Sequence, residues 1–102
     1  MASKYPRAYR FLQEFLKERG INIKHMCKLF VRDNLLLYEY RYTVCMCLYN
    51  ELDTTAKFIS KILGISEETV CKTLNAFPIE VAINKHKKLY YDLIHELMKK
   101  VK

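Results

Sequence analysis

The chain has 102 residues, enough to close one hydrophobic core and too few for a second of similar size. Hydrophobic residues make up 51% and charged residues 28%, which excludes a disordered polyelectrolyte, and no apolar run is long enough to cross a bilayer. Lys and Arg total 18 against 11 Asp and Glu, a formal charge of +7 that favours polyanionic partners through counterion release.

Only two Gly and two Pro interrupt the chain, so an all-α fold is expected. The first segment, MASKYPRAYRFLQEF, lacks the apolar centre of a secretory leader, and a cytoplasmic protein is expected. The first helix spans residues 6–19, with Pro6 in its first turn and a stripe of Tyr9, Phe11, Leu12, Phe15 and Leu16. Gly20 ends it. A short second helix is expected over residues 23–31, then a break at Asp33-Asn34 with Asn34 as a cap. Residues 35–52 are apolar on several faces. Residues 38–42 alternate as a strand would, but length and helical neighbours favour a long central helix, the buried hub.

Residues 55–76, TAKFISKILGISEETVCKTLNA, read as a helix-turn-helix. Ile59, Leu63, Ile65, Val70 and Leu74 fall where two short helices face inward around a tight turn, and Ser60 allows close approach. Gly64 suits the left-handed corner, Ser66 the N-cap, and Glu67 and Glu68 the first turn of a helix dipole. Phe77-Pro78 forces an exit, and a last helix is expected over residues 81–100, with Leu89, Leu93, Ile94 and Leu97 on one face. The sum is one domain of five to six helices.

This order of helices resembles the DNA-binding domain of DnaA, the bacterial replication initiator, within the Trp-repressor-like group of folds. Arg41–Leu52, RYTVCMCLYNEL, is similar to the family's arginine, apolar run and arginine-glutamate-leucine; Lys57–Gly64, KFISKILG, resembles its first motif helix; Thr69-Val70 matches its threonine-valine. Where the family carries arginine-aspartate-histidine-threonine, this chain has Ile65-Ser66-Glu67-Glu68, and of its basic loop only Arg32 and Arg41 remain cationic. The resemblance therefore implies the fold and DNA binding in general, without the initiator's own origin boxes. The resemblance does not extend to the initiator's nucleotide-hydrolysing module, so no ATPase activity is expected from it.

On this reading Ser66, Glu67, Glu68, Cys71, Lys72 and Asn75 face a major groove. Lys72 suits guanine or phosphate, Asn75 adenine, and either glutamate the cytosine amino group. Lys57 and Lys61, one turn apart, offset the acidic tip, and Arg32 and Arg41 add backbone or minor-groove contacts. The cations Lys4, Arg7, Arg10, Lys17 and Arg19 read as the solvated face of the first helix, with a phosphate-contacting arm as the alternative, and Lys99, Lys100 and Lys102 as partners of a helix C-terminus. Cys45 and Cys47 diverge by about 200° on a helix, and Cys27 and Cys71 stand apart, so free thiols are expected and no metal site. His86 and His95 lie nine residues apart and share no ion. The tyrosines suit core and rim packing. No residue pattern calls for catalysis or a cofactor. The expected function is non-catalytic binding of double-stranded DNA by a small transcriptional or replication regulator, alone or as a homodimer. The alternative is a protein-binding module of the same fold, favoured by the acidic tip and by exposed tyrosines at 38–42.

Overall fold

The computed structural model describes residues 4–27 and 35–101, and all regular structure among them is helical. The order is α1 (Pro6–Lys17), α2 (Ile23–Met26), α3 (Leu35–Glu51), α4 (Ala56–Leu63), α5 (Glu67–Leu74), a π-helical turn (Val81–Lys85) and α6 (Lys87–Val101). Chain segment 38–42 is helical, as its setting within a long apolar stretch demands, and the strand-like alternation has no structural counterpart.

Helix α3 is buried along most of its length. Glu39, Arg41, Tyr42, Thr43, Val44, Cys45, Cys47 and Leu48 all lie inside, so no single face of the helix is left to solvent through its middle. Against it pack α2, α4, α5, the π turn and α6. The Thr43 hydroxyl returns a hydrogen bond to the Glu39 carbonyl at 2.8 Å, which removes the cost of burying it. At the far end the buried Tyr90 donates its phenol to Glu51 Oε1 at 3.0 Å and ties α6 to α3.

Helix α1 starts with Pro6 at its first position and buries Leu12, Phe15 and Leu16. Its end has the Schellman pattern: Ile21 N–H bonds to Leu16 O at 2.9 Å and Gly20 N–H to Lys17 O at 3.0 Å, with Gly20 at φ 76°. Arg19 is exposed, but its side chain is engaged. Its guanidinium donates to Phe15 O at 2.9 Å, lies 3.7 Å over the Phe15 ring and pairs with Asp92 of α6 at 3.2 Å. Asn22 then caps α2, accepting from Lys24 N at 2.9 Å. The described helix is a single turn, Ile23–Met26, followed by Cys27 in a turn; the remainder of the expected helix and the Asp33-Asn34 break lie outside the described residues.

Between α3 and α4 the chain reverses through Asp53 at φ 51°, a conformation that Asp tolerates better than most residues, and Thr54 Oγ1 donates to Leu48 O at 2.9 Å. Thr55 caps α4, accepting from Phe58 N at 3.2 Å. Gly64 at φ 71° turns the chain, and Ser60 O accepts from both Gly64 N (2.9 Å) and Ile65 N (3.2 Å). Ser66 caps α5, accepting from Thr69 N at 3.1 Å. Ile59, Leu63 and Val70 are buried as expected, Ile65 and Leu74 half-buried against the core, and Ser60 lies at the close approach. Beyond α5, Phe77 meets Tyr38 (5.2 Å) and Tyr42 (5.4 Å) edge-on and anchors the exit to α3.

The last helix departs from expectation. Residues 81–85 form a π turn, His86 leaves helical geometry at φ −118°, ψ 40°, and α6 begins at Lys87. His86 N–H bonds to Val81 O, five residues back, at 3.3 Å. The apolar positions Leu89, Leu93, Ile94 and Leu97 report the inner face of the helix and not the hydrogen-bond register, so they carry no signal of this break.

Gly20 offers a clean measure of the turn. A Cβ there meets nothing within 4 Å, so the cost of Gly20→Ala is the left-handed backbone alone. Urea unfolding should show a loss of about 1–2 kcal/mol with an unchanged m-value.

Candidate nucleic-acid interface and a buried carboxylate cluster

Glu67, Glu68, Cys71, Lys72 and Asn75 are exposed along one side of α5 and its C-cap, opposite the buried Val70 and Thr73, while Ser66 is exposed at the N-cap rather than on that face. Helical spacing explains the grouping: positions 67, 68, 71, 72 and 75 recur at one and four residues. Four of the six side chains are engaged. Lys72 Nζ pairs with Glu68 Oε1 at 3.1 Å across one turn, and Asn75 Nδ2 donates to Cys71 O at 2.9 Å. The Ser66 hydroxyl lies 2.6 Å from that of Thr69 while serving as the cap.

Lys57 is exposed and Lys61 half-buried, one turn apart on α4, and both line a cleft of about 280 Å³ with Ser66 and Glu67. Lys4 lines the same cleft. Its backbone N–H bonds to Lys61 O at 2.9 Å, and the next residue, Tyr5, sets its ring 4.8 Å from Phe58. The chain ahead of α1 thus completes the C-terminal hydrogen bonding of α4 and sets a third lysine beside α5. The sequence leaves Lys4 either on the solvated face of the first helix or in a phosphate-contacting arm. Its true neighbour is 57 residues away by a backbone bond, which no local pattern records.

Arg41 does not join this surface. It is 3% exposed, on the inner side of α3, with its guanidinium 5.0 Å over the Tyr38 ring. A side chain enclosed there cannot meet a phosphate, so the expected contact is withdrawn. Arg32 lies outside the described residues.

A second polar cluster was not anticipated. Glu39, 5% exposed, receives Lys85 Nζ on Oε2 at 2.7 Å and faces His86 Nε2 from Oε1 at 3.3 Å. On a regular helix neighbouring residues diverge by about 100° and would not share one carboxylate. The π turn and the break at His86 bring both to it. The His86 ring also lies 4.9 Å from Tyr40. The bond from Lys85 chiefly, with a smaller contribution from His86, holds the Glu39 carboxyl below the usual glutamate range, although burial pushes the other way.

All four cysteines are free. Burial raises the thiols of Cys45 and Cys47 to about 12 and that of Cys27 to about 11, whereas Cys71 is exposed on α5. Comparison of the chain with protein-family models, curated proteins and solved structures gave no match.

Two outcomes follow from this chemistry. In the native protein a thiol reagent at pH 8 should modify Cys71 rapidly, and the buried Cys45 and Cys47 only after unfolding, as read by peptide mass analysis. Glu39 binds a proton more weakly folded than unfolded, so its stabilisation is complete above the ordinary glutamate value of about 4.3 and disappears as pH falls through the lower folded value. Glu39→Gln should cost about 1 kcal/mol at pH 7 and flatten the decline in urea stability between that value and more acid pH.

Proposed function

We propose that the protein binds double-stranded DNA without catalysing a reaction, with α4, the Gly64 turn and α5 acting as a helix-turn-helix. Helix α5 enters the major groove, and Lys4, Lys57 and Lys61 grip the flanking phosphates. The observation that carries this reading is the shared exposed face of α5 beside a cleft bordered by lysines from two separate segments. The formal charge of +7 supports it, as does the resemblance to the DNA-binding domain of DnaA. A small transcriptional or replication regulator fits these features.

Lys72 and Asn75 are the base-reading side chains, with Glu67 or Glu68 accepting from a cytosine amino group. Lys72 must leave Glu68, and Asn75 must release the Cys71 carbonyl. An exposed ion pair is worth about 0–1 kcal/mol, and a good base contact about 1–3, so the exchange is favourable. The two carboxylates repel the duplex, and Lys4, Lys57 and Lys61 offset them. Of the tyrosines that favour the protein-binding alternative, Tyr42 is buried and Tyr38 and Tyr40 are half-buried.

Fluorescence anisotropy on a labelled duplex tests the reading. Binding at about 50 mM salt should weaken steeply with salt, and replacing Lys4, Lys57 and Lys61 with Ala should reduce the slope by about 2–3. Duplex should also slow modification of Cys71. No binding at low salt, or an unaltered slope in the triple variant, refutes the proposal.

A further inference from the structure

A second surface stands apart from α5. Above Glu39 lies a cleft of about 360 Å³, within the roughly 300–1,000 Å³ of small-molecule sites, bordered by Arg19, Tyr40, Lys85, His86, Lys88 and Asp92. Ile21 and Leu89 supply apolar wall. The elements that meet there are the end of α1, the first half of α3, the π turn and the start of α6.

The charge is arranged for a phosphate. Asp92 is taken up by Arg19 at 3.2 Å, and Glu39, beneath Lys85 and His86, by both of them at 2.7 and 3.3 Å. A lysine carries three donors, and Lys85 spends one on Glu39 while its side chain stays 58% exposed. Lys88 is exposed at the same rim. Tyr40 offers a flat ring beside the imidazole, 4.9 Å between centroids, where a planar organic body can rest.

The ionised carboxylate stabilises the fold through its partners, but stability alone does not require a charge at this position. Apolar groups of matching shape stabilise a core as well as a buried ion pair or better. Here the pair instead fixes Lys85 and His86 at the cleft floor through a π turn, a rare element that recurs at functional sites. We propose that this cleft binds a phosphomonoester carried on a small planar body, of mononucleotide size, with Lys85 and Lys88 on the phosphate, His86 held in position by Glu39, and Tyr40 against the planar part.

The probes are adenosine monophosphate and adenosine, titrated into the full chain and followed by NMR at the ring signals of His86 and Tyr40. The monophosphate should give saturable shifts, and adenosine should bind at least tenfold more weakly because the phosphate contacts are missing. Lys88→Ala, an exposed change whose fold circular dichroism verifies, should weaken the monophosphate about tenfold, as expected for a hydrogen bond to a charged group. It should leave duplex binding by α5 within about twofold, which separates this site from the DNA reading. Absence of saturable shifts, equal shifts from the two probes, or undiminished binding by Lys88→Ala would overturn the proposal.

Discussion

The whole arrangement depends on enclosing α3. Residues 41–45 are buried one after another, which a helix achieves only when covered from every side. A chain of 102 residues can supply that cover only by wrapping most of its other elements around one helix. Each of those elements then has one face committed to α3 and one left over, and the leftover faces are where chemistry can be placed.

Two of those outer faces differ in construction. On α5 the polar residues are exposed and loosely held, by a surface ion pair and a fold-back amide bond that cost little to break. Such a face can exchange its contacts for those of a partner. Around Glu39 the carboxylate and the imidazole of His86 are enclosed, and the partners of this α3 carboxylate, Lys85 and His86, come from the end of the π turn and the residue after it. That cluster trades adaptability for fixed geometry.

The N-terminal segment shows how backbone bonding can place charge. Helix α4 ends at a glycine corner that satisfies its Ser60 carbonyl twice but leaves that of Lys61 for another donor. The Lys4 amide supplies it, and the lysine side chain is set beside the same turn as a consequence. The cation is therefore located by the completion of a helix end, independently of any pairing of its own charge.

Local signals were legible wherever one residue type answered one local need. Gly64 and Gly20 sit at positive φ because each chain corner demands it, and Ser66 caps α5 because its hydroxyl reaches the Thr69 amide. Periodicity placed the exposed face of α5 and the hub helix correctly. The contact expected of Arg41 came from its place in the resembled basic loop, and a charge read that way says nothing about burial in a helix covered on all sides. Periodicity missed the π turn, Arg19's tie to Asp92 and the Glu39 cluster. The amino-acid order by itself determined the all-α class, the corners and the caps, because these are settled within a few residues by backbone conformation and near-neighbour hydrogen bonds. Only tertiary packing decided which charges meet across 46 or 73 residues, because such pairings are fixed by where whole helices come to rest.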